Sequence, residues 1–387
     1  MRFKRTAFAF AGNQDIKSQI NGWKLGVALV GVLALAGCGK EQTDTPPVTG
    51  LPAQTTNAAP TSSANTSSPA TSSTPSASST PSASSSAPRK LTLSTNQLDG
   101  VTKANSSYKI VLIVKTQNNP FFKPMIDAFK QAAAELGAQA EVQSAAKETD
   151  VEQQVGLVQT EANNGVKAIV IAPADSKALV PALKAAQDKG IVIINLDNRL
   201  DPETVRSQGL ELGGYIGADN EEGGKLAGEE MIAALMGKGK VAILEGIRGV
   251  DNAEARKRGF LGAVTTNLEI AATETAEWDT EKAYAKTQNI LKAHTDLSGI
   301  FCANDNMAIG AMKAVAESGK KGKIKIIGYD NIPGVKSAID SGEMDATIEQ
   351  HPDLMGKYGL KLAVGILNGG IRQGGEMMVP LETIKKH

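Results

Sequence analysis

The sequence predicts an α/β protein of two doubly wound parallel-sheet lobes, and three observations carry that prediction. From residue 108 onward, short runs rich in Val and Ile alternate with segments of helical periodicity, the pattern of βαβ units. The alternation runs through two series, so the folded part holds two sheets with helices on both faces. Helical segments stop at or near Gly137, Gly165 and Gly190, as left-handed C-caps require. In order, the first series reads as strand Lys109–Val114, a helix from about Pro120 to Leu136 and strand Ala140–Gln143. A helix near 150–164, strand Ala168–Ile171, a helix near 176–189 and strand Ile191–Leu196 follow. The second series follows strand Tyr215–Ala218, with strands Val241–Leu244, Ile270–Thr273, Gly299–Ala303, Ile324–Ile327 and Ala346–Ile348 and helices between them.

The N-terminal part is different material. Residues 25–36 form an apolar run behind a basic segment, too short to span a bilayer as a helix, which needs roughly 20 residues. Residues 1–37 therefore read as a signal peptide. Its end, Leu35-Ala36-Gly37-Cys38, resembles a bacterial lipobox, which makes Cys38 the expected lipidation site and first mature residue. Residues 52–88 contain only Pro, Ala, Gln, Thr, Asn and Ser, a composition that cannot bury a core. Residues 38–106 read as a solvated tether that holds the remaining 281 residues clear of a membrane. Function is then extracytoplasmic, which weighs against ATP- or NAD-dependent chemistry and against a DNA-binding repressor.

Charge and cysteine content narrow the classes further. The whole chain has 41 basic and 41 acidic groups, but residues 1–37 hold five of the basic and one of the acidic, leaving a mature net charge of −4. That balance argues against nucleic acid as a partner. Cys38 and Cys302 are the chain's two cysteines, too few for a disulfide framework and without neighbours spaced for zinc. Neither a metal nor a cofactor is expected. The chain carries no nucleophile elbow, no His-Glu-x-x-His and no phosphate-binding loop, so an enzyme is not expected.

In open α/β sheets, ligands sit beyond the carboxyl ends of the strands. At those positions the chain repeatedly places Asn or Asp: Asn118-Asn119, Asp197-Asn198, Asp219-Asn220, Asn304-Asp305 and Asp330-Asn331. Asn118, Asp219 and Asp305 are expected to cap helices. Carboxylates and amides converging from two lobes suit a neutral polyhydroxylated ligand, whereas an anion would want cations. Phe121, Phe122 and Trp278 also fall at the expected cleft, where aromatic faces suit the C–H faces of a sugar ring.

From about residue 107 to the C-terminus the chain resembles the type I periplasmic sugar-binding proteins, most closely the ribose-binding group. The likeness rests on Asn118-Asn119-Pro120-Phe121-Phe122, Ile194-Asn195-Leu196-Asp197 and Arg256-Lys257-Arg258-Gly259-Phe260. It extends through Ala303-Asn304-Asp305-Asn306-Met307-Ala308-Ile309-Gly310, Gly328-Tyr329-Asp330 and Thr347-Ile348-Glu349-Gln350. The resemblance implies a three-strand hinge with crossings near Ala218, Gln350 and Pro380. Lobe 1 is then 107–218 with 351–380, and lobe 2 is 219–350 with 381–387. It also implies ligand contacts at Asn119, Phe121, Phe122 and Asp197, with Asn198 beside it, in lobe 1, and at Arg256, Trp278, Asn304 and Asp330 in lobe 2, with Gln350 at a crossing. A monomer that captures a small carbohydrate and delivers it to the permease and ATPase of an ABC importer is the implied role; presentation to a chemoreceptor or sensor kinase is the alternative. Ala172, Asn198 and Trp278 depart from the ribose binders, which place Asn, Arg and more usually Phe there, so a related pentose, hexose or polyol is expected as much as ribose.

Overall fold

The computed structural model describes residues 91–386. The expected signal peptide, the expected lipidation site Cys38 and the expected tether up to residue 90 lie outside the described residues.

The chain enters as β1 (Leu91–Thr92) and α1 (Thr95–Asp99). It continues through β2 (Lys109–Thr116), α2 (Phe122–Leu136), β3 (Gln139–Ala145), α3 (Val151–Asn163), β4 (Ala168–Ile171), α4 (Val180–Gln187), β5 (Val192–Leu196), α5 (Pro202–Ser207) and β6 (Gly214–Gly217). The second series is α6 (Asn220–Ala234), β7 (Lys240–Glu245), α7 (Asp251–Val264), β8 (Glu269–Thr275), α8 (Thr280–Ala293), β9 (Leu297–Cys302), α9 (Asp305–Glu317), β10 (Lys325–Ile327), α10 (Val335–Ser341) and β11 (Ala346–Glu349). The chain closes with α11 (Pro352–Leu367), β12 (Gly375–Met378) and β13 (Glu382–Lys385).

Two sheets result. The first has the order β1-β12-β6-β5-β4-β2-β3 with parallel pairing throughout. The second has the order β13-β11-β10-β9-β7-β8, parallel except that β13 runs antiparallel to β11. The sequence pattern missed β12 and β13, which are only four residues long, Gly-Glu-Met-Met and Glu-Thr-Ile-Lys, too short to show a period. The chain passes between the sheets after β6, after β11 and between β12 and β13. In each sheet the strand order reverses at one place, between β2 and β4 in the first and between β7 and β9 in the second. A crevice forms at such a switch point, beyond the carboxyl ends of the strands.

Central strands of a parallel sheet are covered on both faces and read as unbroken apolar runs. Ile110 to Val114 of β2 are accordingly all buried. The covering helices bury one stripe each: α2 turns Phe122, Met125, Ile126, Phe129, Ala132, Ala133 and Leu136 inward and stops at Gly137, φ 72°. It meets α11 at Gly356, where a Cβ would stand 2.0 Å from the Met125 carbonyl oxygen, so the two helices touch backbone to backbone.

The expected tether ends too late. Residues 91–106 are folded onto the first lobe: β1 pairs with β12, Leu93 and Leu98 are buried, and Ser94 and Gln97 form a capping box at the start of α1. Asp99 accepts from Lys361 Nζ at 2.7 Å and from the Tyr358 hydroxyl at 3.3 Å. The alternating Leu91-Thr92-Leu93 followed by Ser94-x-x-Gln97 is the signal that marks this start. Burying a leucine is worth about 1.5 to 3 kcal/mol, so a chain beginning at residue 107 should melt at least about 5 °C below one beginning at residue 91. Equal melting in a thermal denaturation would mean that residues 91–106 are not part of the folded lobe.

Candidate functional site

The carboxyl ends of both sheets surround a small cavity, at the place where open α/β sheets hold their ligands. The first lobe lines it with Lys115, Asn119, Phe121, Phe122, Glu148 and Asp197. The second contributes Asn252, Arg256, Trp278, Asn304 and Asp330, and Gln350 comes from the crossing after β11.

In the first lobe, β2 delivers a lysine at the end of an otherwise apolar strand. Lys115 is buried and pairs with Asp197 at 3.0 Å. Each charge neutralises the other where neither could be buried alone. Asn119 opens α2: its Oδ1 accepts the Phe121 N–H at 3.0 Å, and its Nδ2 donates to Glu148 Oε1 at 2.7 Å. Burial pushes the Glu148 carboxyl above its ordinary range, against the pull of Lys115. Phe121 and Phe122 meet edge to face with centroids 5.1 Å apart.

In the second lobe, the Arg256 guanidinium lies 3.7 Å from the centre of the Tyr329 ring. Its Nε donates to Asn220 Oδ1 at 2.8 Å and its Nη1 to the Ala303 carbonyl at 2.8 Å, with Asp330 Oδ1 at 3.4 Å. Asp330 Oδ1 also accepts from Gln350 Nε2 at 2.7 Å. Burial raises the Asp330 carboxyl well above its ordinary value, and Arg256 opposes the shift. Asn304 lines the cavity while its Oδ1 accepts the Met307 N–H and caps α9. Trp278 lies across Gly246, where a Cβ would come within 2.0 Å of the indole.

Two further features mark the cavity. Asp197, Trp278 and Asp330 have φ of 57°, 66° and 112°, in or beside the left-handed region that non-glycine residues seldom enter. Strain of this kind persists where the surroundings over-determine it, and it gathers at ligand clamps. In addition, Asn252 Oδ1, Trp278 Nε1 and Gln350 Oε1 are buried with no partner among the described residues. Buried polar atoms ordinarily find partners, and one donor with two acceptors is a set that hydroxyl groups satisfy, since each can both donate and accept.

Nine of the ten sequence-expected ligand contacts line this cavity. Asn198 does not. It is buried behind the lining, where Nδ2 donates to the Pro173 carbonyl at 3.1 Å and Oδ1 accepts the Asn252 N–H at 3.2 Å. Asp305 is also not a helix cap. Its carboxylate accepts the Tyr329 and Ile332 N–H groups at 2.9 and 3.1 Å and the Thr347 hydroxyl at 2.9 Å. It thereby grips both ends of the loop that carries Asp330, and burial pushes it from 3.8 up to about 7. Of the three expected caps, Asp219 does cap α6, whereas Asn118 Nδ2 donates to the Ala146 carbonyl. Lys115, Glu148 and Asn252 were not expected at the site. A lysine closing an apolar strand was the signal for the first, and Asp251-Asn252 is one more Asp-Asn pair after a strand; Glu148 bears no comparable mark. Among the described residues, no cluster of His, Cys, Asp and Glu could hold a metal ion.

Residues 110–371 match the family model described as periplasmic binding protein domain. The chain is 35% identical over 282 residues to the D-ribose/D-allose-binding protein of Pseudomonas aeruginosa, covering 71% of this chain and 88% of that one. It is 33% identical to the D-allose-binding periplasmic protein of Escherichia coli, covering 70% and 88%. A crystal structure of an ABC transporter periplasmic solute-binding protein from Actinobacillus succinogenes with bound D-allose is similar with a TM-score of 0.69 at 39% identity, covering 72% of this chain and 98% of that one. The chain belongs to the periplasmic binding protein family.

A carboxyl whose folded pKa is raised holds its proton in the fold after the unfolded chain has released it. Its contribution to stability is complete below the unfolded value and is lost as pH rises through the folded one. For Asp305 that window runs from 3.8 to about 7, and Asp330 acts in the same direction. Relative to an Asp305→Asn variant, the stability of the native protein should therefore fall between about pH 4 and about pH 7 in thermal melts. A difference that does not change with pH would show that Asp305 does not titrate in this range.

Proposed function

We propose that this extracytoplasmic binding protein captures one monosaccharide with the ring configuration shared by D-ribose and D-allose, and delivers it to the permease and ATPase of an ABC importer. D-Allopyranose is D-ribopyranose with a hydroxymethyl group at C5, so one set of contacts to the ring hydroxyls serves both. The reading is carried by a single observation: the small cavity combines buried carboxylates, an arginine and three partnerless polar atoms with aromatic side chains from both lobes. Asp197, Asp330 and Arg256 take the hydroxyls by paired hydrogen bonds, Asn119, Asn304 and Gln350 complete the ring of partners, and Phe121, Phe122 and Trp278 pack on the C–H faces. The names of the relatives, two of them allose binders and one also a ribose binder, support the same sugar class. The lobes, 91–218 with 351–380 and 219–350 with 381–387, close on the ligand about the three crossings. Lipidated Cys38 and the chain up to residue 90 hold the monomeric domain to the membrane. The family relatives are transport proteins, and the chain is a binding protein rather than an enzyme.

A chain beginning at residue 91 has Trp278 as its one tryptophan, placed at the cavity. Its fluorescence should respond saturably to D-allose or D-ribose, with a raised melting temperature. Absence of any response to both sugars, in fluorescence and in melting, would overturn the reading. Asp330→Ala and Asp197→Ala each remove a carboxylate that takes two ligand hydroxyls, at about 1.5 to 3 kcal/mol for each hydrogen bond to a charged group, so affinity should fall by a factor of about 100 or more. A variant that binds as tightly as the native protein would remove that residue from the site.

A further inference from the structure

Helix α7 brings two groups to the cavity, Asn252 in its first turn and Arg256 one turn later. Its own sequence gives it no side-chain cap, since the residue before it is Val250. The first N–H groups of a helix have no partner within the helix. Here two of them find partners on the other lobe: the Asp251 N–H donates to Ser176 Oγ at 3.0 Å, and the Asn252 N–H donates to Asn198 Oδ1 at 3.2 Å. Ser176 lies in the connection after β4 and Asn198 in the one after β5, and both are buried. They are oriented in advance by their own lobe. Asn198 Nδ2 donates to the Pro173 carbonyl and reaches Ser176 Oγ at 3.4 Å, and the Asn198 carbonyl accepts from Asn195 Nδ2 at 2.8 Å.

We propose that Ser176 and Asn198 are positioning residues of the sugar site, which cap α7 across the cleft, complete that cap only when the lobes meet, and so hold Asn252 and Arg256 against the ligand. The proposal rests on the sugar-binding reading above. When the lobes part, both N–H groups return to water, and the capping contribution leaves with them. The cap therefore acts on the closed form alone, and its removal accelerates release of the sugar while leaving capture nearly unchanged.

The test uses the chain from residue 91 and stopped-flow Trp278 fluorescence, with whichever of D-allose and D-ribose the native protein binds. Ser176→Ala is the cleaner variant, because Asn198 also supports its own lobe. Loss of a helix cap predicts release roughly 3 to 10 times faster in Ser176→Ala, with association within about twofold and an unchanged melting temperature of the sugar-free protein. Asn198→Ala should show the same split between release and capture. Unchanged release in Ser176→Ala, with sugar binding intact, would overturn the proposal and leave the sugar reading standing. If the native protein binds neither sugar, the sugar reading fails, and the cap is judged by amide hydrogen exchange at Asp251 and Asn252: faster exchange in Ser176→Ala supports it, and equal exchange overturns it.

Discussion

The structure depends on keeping charge in a place where water does not reach. Lys115 with Asp197 and Arg256 with Asp330 are buried pairs, one in each lobe, and each would be prohibitively costly if a partner were missing. Around them the protein supplies fixed dipoles in place of solvent: the Gln350 amide on Asp330, the Asn220 side chain and Ala303 carbonyl on Arg256, and the Tyr329 ring beneath the guanidinium. Such groups do not have to reorganise when a neutral ligand arrives. They are already oriented, and the cost of orienting them was met on folding.

Orientation in turn explains the backbone. Asp330 lines the cavity with φ of 112°, three residues beyond the end of β10. Its position is enforced by Asp305, which binds the N–H groups on either side of it, and by the Thr347 hydroxyl that bridges to β11. Asp305 never reaches the cavity lining, yet the site is built on it. Trp278 is enforced differently, by a glycine that leaves room for the indole. In both cases a local conformation that the residue alone would avoid is stabilised by a neighbour distant in sequence.

That distance is why part of the site was legible in the sequence and part was not. The strands from Lys109 to Ile348 were readable because β-branched runs and glycine stops report local structure, and Asn119, Asp197, Asn304 and Asp330 followed from their place after those strands. Asn198 misled because position after a strand does not say which way a side chain turns; it faces Pro173 and the partner lobe. Asp305 misled because a cap and a tertiary strut look alike in sequence, and the partners that decide between them, Tyr329, Ile332 and Thr347, lie 24 to 42 residues away. The fold of residues 91–106 was not legible because Leu93 and Leu98 are its two buried leucines and they follow directly on a long Pro-, Ala-, Ser- and Thr-rich run.

The start of the folded chain has a mechanical meaning. β1 is hydrogen-bonded to β12 in the first sheet, and Asp99 is tied to Lys361 on α11, which packs on that same sheet. Any tension carried by the preceding polypeptide is thus borne by one half of the molecule. The load bypasses the three crossings and does not pass into the second sheet.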